Sequence, residues 1–148
     1  MRVALASDHA GHRLKTQLAE VVARLGHQVL DLGTDSTESV DYPDFGFRLA
    51  RAVAAGDAER GIAICGSGIG MSMVANRVPG VRAARCCCEW DARFARLHND
   101  ANVITLGERV TGTGLAEAIV ETFLSTDFEG GRHARRVRKI DGAAPEGA

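Results

Sequence analysis

The sequence lacks the features that mark membrane, secreted and nucleic-acid-binding proteins. No apolar run approaches the roughly 20 residues that span a bilayer, and the first residues, MRVALASDHAGH, do not contain the long apolar core of a secretory signal. A formal net charge of −1 provides no overall attraction to nucleic acid or to an anionic membrane surface. We therefore expect a cytoplasmic protein that binds neither nucleic acid nor membranes.

The cysteines form neither a disulfide framework nor a zinc-binding pattern. Of the four, three are consecutive (Cys86, Cys87 and Cys88), and the chain has no CxxC pair. Disulfide-rich domains and structural zinc sites use spaced cysteines instead. The sequence therefore indicates a reducing compartment and argues against a structural zinc site, and we interpret Cys87 and Cys88 as structural or incidental.

Short apolar runs alternate five times with longer segments of helical periodicity. This order predicts an α/β protein with one five-stranded parallel sheet, a three-layer αβα sandwich of the doubly wound, Rossmann-like type. We expect a single domain over 1–148, with a basic C-terminal segment at 129–140 and a flexible tail at 141–148. The predicted strands are 3–6, 29–32, 61–65, 81–84 and 103–106.

In an open parallel sheet, ligands bind beyond the carboxyl ends of the strands. Three predicted strands are followed by polar residues, at 7–9, 65–70 and 107–109. We expect His98, in another connecting segment, to lie at the same edge. A solvated loop side chain is the alternative for each histidine.

The stretch ICGSGIGMSMVANR places Cys65 before three glycines on alternate positions. Such glycines could expose backbone N–H groups to an anion at a helix start. The spacing is wrong for the dinucleotide fingerprint, because Met71 occupies its third glycine position, and the Gly-Lys-Ser/Thr of a phosphate loop is absent. A tight turn without ligand and a buried apolar role for Cys65 are the alternatives. In favour of chemistry, a thiol at a helix start should have its pKa lowered from about 8.5 toward neutrality.

The stretch GGRHARRVRK concentrates positive charge near the end of the chain. If it is helical, Arg132 and Arg136 lie one turn apart and share a face, as two guanidinium groups on one phosphate require. A solvated basic face or a nucleic-acid patch are the alternatives. The second is weak because no aromatic residue interleaves the charges.

Five motifs in order, SDHAG, DYPDF, ICGSGIGMSMVANR, HNDANVITLGERV and FEGGRHARRV, carry a family resemblance over nearly the whole chain. The sequence resembles the ribose-5-phosphate isomerase B family, which also contains galactose-6-phosphate and allose-6-phosphate isomerases. This resemblance implies an aldose–ketose isomerase that uses no metal or organic cofactor. Ser67 stands where many members have threonine, and the combination of Cys65 and Met71 matches the branch with a cysteine base rather than a glutamate base.

The same resemblance implies roles for individual residues. Cys65 would move a proton between C1 and C2 of the sugar through a cis-enediolate, and His98 would assist opening of the furanose ring. Asp8 would bind sugar hydroxyls and take part in ring opening, with His9 near the phosphate. The other implied contacts are Gly66, Ser67, Gly68, Ile69 and Gly70 along the enediolate, Asn99, Arg109, Arg132 and Arg136 on substrate oxygens and phosphate, and Tyr42 near the ring.

The substrate implied first is ribose 5-phosphate, converted to ribulose 5-phosphate in the pentose phosphate pathway. Allose 6-phosphate, galactose 6-phosphate or a tetrose phosphate are alternative substrates, and a non-catalytic phosphosugar sensor is an alternative function. The family implies a homodimer or tetramer with a shared site, in which the partner supplies the positions of His98, Asn99 and Arg109. A second, non-identical subunit is a further possibility.

Overall fold

The computed structural model describes residues 1–142. Five parallel strands form one sheet in the order β2-β1-β3-β5-β4. Every predicted strand is present, with its boundaries shifted by at most two residues. The strands are β1 (Arg2–Ser7), β2 (Gln28–Asp31), β3 (Arg60–Cys65), β4 (Ala83–Arg85) and β5 (Val103–Gly107).

Helices follow the strands in the predicted alternation, and a further helix ends the described chain. Pro43 lies in the first turn of the second helix, where its missing N–H costs no helical hydrogen bond. The predicted basic segment is helical from Arg132 onward, and Asp141, which the prediction placed in the flexible tail, is the last residue of this helix. Residues 143–148 of the predicted tail lie outside the described residues. The helices are α1 (His12–Arg24), α2 (Tyr42–Ala55), α3 (Ile69–Ala75), α4 (Glu89–Asn99), α5 (Thr113–Ser125) and α6 (Arg132–Asp141).

The sheet separates two buried apolar layers. On one face, branched residues such as Leu5 and Ile62 pack against α1, α4 and α5. On the other face, small residues such as Ala4 and Ala63 pack against α2 and α3, and Cys65 belongs to this layer. The predicted three-layer αβα sandwich is therefore confirmed. None of the helices within 1–142 is both long and apolar enough to cross a membrane.

Candidate active site

A cavity of about 420 Å³ opens at the carboxyl ends of β1, β3 and β5. These are adjacent strands at the centre of the sheet, so the loops that follow them meet at one place. We call this cavity the thiol cleft, because Cys65 is one of its lining residues. The predicted site residues that line it are Asp8, His9, Tyr42, Cys65, Gly66, Ser67, Gly70 and Arg109.

Cys65 is the last residue of β3, and only 5% of its surface is exposed. The backbone N–H of Gly68 donates a hydrogen bond to its Sγ at 3.1 Å. The thiol therefore combines burial in the core with a position on a cavity that Asp8, His9 and Arg109 also line, an arrangement suited to a base.

The turn after Cys65 depends on glycine at position 68. Gly68 has φ +76°, in the left-handed region, and a Cβ there would lie 2.9 Å from the carbonyl carbon of Leu106. The hydroxyl of Thr105 donates to the Gly68 carbonyl at 2.8 Å and fixes the turn against β5. No other residue type fits this position without moving backbone, so the N–H that meets the thiol is fixed by packing.

Asp8 and His9 enter the thiol cleft from the loop after β1. Asp8 accepts hydrogen bonds at Oδ1 from the amides of Ala10 and Gly11, at 3.0 and 3.1 Å, and thereby caps a short 3-10 turn. The Nδ1 atom of His9 accepts from the Val40 amide at 3.2 Å. A neutral His9 must therefore carry its proton on Nε2, which makes that atom a donor.

Arg109 lies across the Gly66 backbone: a Cβ on Gly66 would be 3.4 Å from Cδ of Arg109. The Arg109 amide also donates to the Gly66 carbonyl at 3.1 Å, which ties the two loops together. The chain's own Arg109 lines the thiol cleft, whereas the family resemblance implies an arginine from the partner subunit at this position. Tyr42 covers the other side, where a Cβ on Gly70 would lie 2.7 Å from its ring.

His98 and Asn99 do not lie at this edge, which corrects the sequence-based expectation. They occupy the last turn of α4, a helix that begins after the carboxyl end of β4 and returns to the amino end of β5. The loop that follows is paired with the start of β3, where the Gly61 amide donates to the Asn102 carbonyl at 2.9 Å. A helix between parallel strands crosses the sheet, so its last residues reach the edge opposite the thiol cleft.

α6 packs beside α4 and brings Arg132 and Arg136 to the same region. Both arginines are exposed and one turn apart, whereas His133 and Val137 on the other face of α6 are buried. The segment is helical, so Arg132 and Arg136 share one face as predicted. The predicted site residues therefore form two groups on one chain: the thiol cleft, and an α4–α6 group containing His98, Asn99, Arg132 and Arg136.

The imidazole of His98 lies in an aromatic row along α4. It stacks on His133 with ring centroids 4.1 Å apart and an interplanar angle of 7°, and it meets the Phe94 ring edge-on at 4.8 Å. Its Nε2 is 3.8 Å from Oε2 of Glu129. Burial lowers the pKa of His133, and the neighbouring His98 adds to this effect.

His98, Glu129 and His133 are the described residues that come nearest to a metal site, with ligand atoms within 4.8 Å of one another. Imidazole binds a metal along a lone pair in the plane of its ring, at about 2.0–2.1 Å for zinc. The two rings are parallel and stacked, so their lone pairs lie in separate planes and do not converge on one ion.

Arg85 and Glu108 make supporting contacts that the sequence did not predict. Arg85, at the end of β4, donates from Nε to the Ser67 carbonyl at 2.8 Å and from Nη1 to Sγ of Cys87 at 3.0 Å. Glu108 accepts from the Leu14 amide at 3.0 Å and so caps the start of α1. The contact between Arg85 and Ser67 and the contact between Glu108 and Leu14 join distant parts of the chain, and no local spacing marks them.

Comparisons with known proteins agree with this geometry. The sequence model of the family described as "Ribose/Galactose Isomerase" matches residues 3–140. Ribose-5-phosphate isomerase B of Escherichia coli is 42% identical over 139 residues, covering 94% of this chain and 93% of that protein. D-erythrulose-4-phosphate isomerase of Pectobacterium atrosepticum is 43% identical over 141 residues, covering 95% and 93%.

Among solved structures, ribose-5-phosphate isomerase B of Clostridium thermocellum superposes with a TM-score of 0.94 at 52% identity, covering 95% of each chain. This similarity spans both the thiol cleft and the α4–α6 group, because the family match runs from β1 through almost all of α6. Fold, motif order and family match thus agree over the same residues. The chain belongs to the ribose/galactose isomerase family.

Proposed function

We propose that this sugar-phosphate isomerase interconverts ribose 5-phosphate and ribulose 5-phosphate through a cis-enediolate, without a metal or organic cofactor. The observation that carries the proposal is the buried thiol of Cys65 in the thiol cleft, with the Gly68 N–H donating to its Sγ at 3.1 Å. The E. coli relative named for this reaction supports the choice of substrate. Such an enzyme belongs to the pentose phosphate pathway of the cytoplasm.

Cys65 would act as the base that moves a proton between C1 and C2. A C–H beside a carbonyl is a weak acid, so the site must stabilise the negative oxygen that forms when the proton leaves. Backbone amides of the glycine-rich turn that follows Cys65 would donate to this oxygen, and Ser67 would add a hydroxyl. Since the Ser67 oxygen accepts from the Ile69 amide at 3.3 Å, its own hydrogen is available to the substrate.

Groups of these two kinds make large contributions to the rates of enzymes in general. One well-placed oxyanion donor contributes about 3 kcal/mol, or 10²–10³ in rate. A positioned base contributes about 10²–10⁴ in rate. The phosphate does not react, but arginine contacts with it would hold the carbonyl carbon against the base.

The α4–α6 group would complete the site from a second copy of the chain. His98 and the exposed Arg132 and Arg136 lie at the edge opposite the thiol cleft, so one chain does not bring them to Cys65. A homodimer, or a tetramer built from such dimers, that places α4 and α6 of one chain over the partner's thiol cleft unites both groups. In this arrangement Arg109 acts in its own chain, while His98 and the two α6 arginines act on the partner's substrate.

The number of carbons in the substrate is tested by turnover of four-, five- and six-carbon aldose phosphates in the presence of a metal chelator. The relatives named for ribose 5-phosphate and for D-erythrulose 4-phosphate are about equally similar, at 42% and 43% identity, so identity alone does not decide. We expect the highest kcat/KM for ribose 5-phosphate and no effect of the chelator. A higher kcat/KM for erythrose 4-phosphate, allose 6-phosphate or galactose 6-phosphate would replace the proposed substrate.

Replacing Cys65 by alanine tests the base. We expect loss of turnover by at least the 10²–10⁴ of a general base, with binding of the sugar phosphate retained. Cys88→Ala is the matched control, since Cys88 lies outside the thiol cleft. Near-normal turnover of the Cys65→Ala enzyme would remove the thiol from the mechanism.

A further inference from the structure

The contacts around His98 suggest an inference that rests on its proposed part in ring opening. We infer that Glu129 and His133 are positioning residues, which hold the His98 imidazole in the one orientation that serves this proton transfer. Neither residue lines the thiol cleft of its own chain. They would act only through His98.

His98 would otherwise be free to rotate. It lies in the last turn of α4 with 35% of its side chain exposed. Three contacts restrain it: the Phe94 ring edge at 4.8 Å, the parallel His133 ring at 4.1 Å, and the Glu129 carboxylate at 3.8 Å from Nε2. They come from three parts of the chain, so together they define both the plane and the direction of the imidazole.

The groups that restrain His98 are themselves held in place. The Glu129 amide donates to the Leu97 carbonyl at 3.1 Å, which fixes that segment beside the end of α4. His133 is 4% exposed, and its amide donates to the Gly130 carbonyl at 3.0 Å in the first turn of α6. A buried ring on a fixed backbone offers a rigid face for stacking.

His133 is suited to this role because it is held neutral. Nε of Arg132 donates to Nε2 of His133 at 3.4 Å, which requires that Nε2 carry no proton. Burial also lowers the pKa of His133. A neutral ring can stack on His98 whether or not His98 carries a proton, so proton transfer does not break the stack. When His98 is protonated, Glu129 forms an ion pair with it.

Ring opening makes orientation decisive. The C1–O bond of the cyclic sugar breaks, the ring oxygen gains a proton, and the anomeric hydroxyl loses its proton as the C1 carbonyl forms. An imidazole that assists either proton transfer must lie within hydrogen-bond reach of the oxygen it serves. A displacement of about 1 Å can reduce such a step by about 10²-fold.

Four-carbon sugars separate this step from the isomerisation itself. In erythrose 4-phosphate the oxygen that would close a furanose ring carries the phosphate, so the sugar is acyclic and needs no ring opening. A defect confined to His98 orientation should therefore reduce turnover of ribose 5-phosphate and spare erythrose 4-phosphate. The Pectobacterium relative named D-erythrulose-4-phosphate isomerase, 43% identical, supports the use of a tetrose phosphate on this scaffold.

The test uses the full-length enzyme with Glu129→Gln, His133→Ala and His133→Phe, and with His27→Ala as the control because His27 lies outside the α4–α6 group. We expect Glu129→Gln and His133→Ala to lower kcat for ribose 5-phosphate by about 10–100-fold and to change turnover of erythrose 4-phosphate by less than about twofold. His133→Phe retains a flat ring and should restore most of the kcat. An equal loss on both substrates, or no loss on ribose 5-phosphate, would overturn the inference.

A second readout does not depend on turnover. The imidazole resonances of His98 in an NMR spectrum, assigned by their disappearance in a His98→Ala variant, should shift in His133→Ala and remain near their positions in His133→Phe. Unchanged resonances in His133→Ala would overturn the inference whatever the substrate. If the wild-type enzyme does not turn over ribose 5-phosphate, the proposed function fails while these resonances still decide whether His133 orients His98.

Discussion

Replacing Gly68 by alanine tests whether close packing fixes the turn that meets the Cys65 thiol. Gly68 and Gly56 share a left-handed backbone, with φ +76° and φ +82°. A Cβ on Gly68 would lie 2.9 Å from the Leu106 carbonyl carbon and 3.1 Å from its oxygen, whereas a Cβ on Gly56 would meet no atom within 4 Å. Gly56→Ala is therefore a matched control that carries the conformational cost without the contact.

The expected free energies follow from these two terms. A left-handed residue with a side chain costs about 1–2 kcal/mol, and forcing a methyl group against fixed neighbours costs about 1–3 kcal/mol more. We expect Gly56→Ala to lose only the first amount and Gly68→Ala to lose both. For a protein of this size each kcal/mol lowers Tm by about 2–4 °C, so Gly68→Ala should melt about 2–12 °C below Gly56→Ala.

The assay is thermal unfolding of both variants at one protein concentration, combined with turnover measurements well below either Tm. Gly68→Ala should also lose kcat, because its N–H no longer meets Sγ of Cys65 as it does at 3.1 Å. Gly56→Ala should keep the wild-type kcat. Equal Tm values for the two variants would refute the argument that backbone packing against β5 fixes this turn.

Three further predictions concern the arginines, the thiols and His133. Arg136→Ala should raise KM strongly with little change in kcat, measured by steady-state kinetics, while Arg138→Ala on the same helix should not, and an unchanged KM would remove Arg136 from the phosphate site. A thiol reagent near pH 8 should modify exposed Cys87 well before Cys86, because burial raises the pKa of Cys86 to about 12; mass mapping that found Cys86 modified first would contradict this. Burial lowers the pKa of His133, so the unfolded state binds a proton first as pH falls below about 6.5, and the free energy of unfolding should fall there. His133→Phe should weaken this fall, which chemical denaturation at pH 5 and pH 7 measures. If the free energy of unfolding changes by the same amount between these pH values in the variant and the wild type, His133 is not the source of the fall.

Local pattern was sufficient to predict the layers of the fold. The central strands β1, β3 and β5 are buried along nearly their whole length, and the helices that follow them are amphipathic, so the alternation alone predicts a parallel sheet between helices. The loops after β1, β3 and β5 were placed correctly at the thiol cleft for the same reason. The strand order, with β5 rather than β4 beside β3, depends on long-range pairing.

The position of His98 shows where local pattern fails. Its sequence neighbours look like a polar loop, but His98 belongs to the last turn of α4 and so lies at the amino end of the sheet. Predicting the end of the sheet at which His98 lies requires the length and direction of α4, not the residue type. The stacking of His98 on His133 joins residues 35 positions apart, and the contact of Arg85 with the Ser67 carbonyl joins residues 18 positions apart. Neither contact has a local spacing that could predict it.

The most direct test of the shared site is subunit exchange between two inactive variants, Cys65→Ala and His98→Ala. In a randomly mixed dimer population half of the dimers contain one chain of each kind, and each of these has one site with both Cys65 and His98 intact. The mixture should therefore recover about a quarter of the wild-type turnover of ribose 5-phosphate. If exchange is confirmed by mass spectrometry and the mixture stays as inactive as its components, the proposal that one chain's thiol cleft works with its partner's His98 is contradicted.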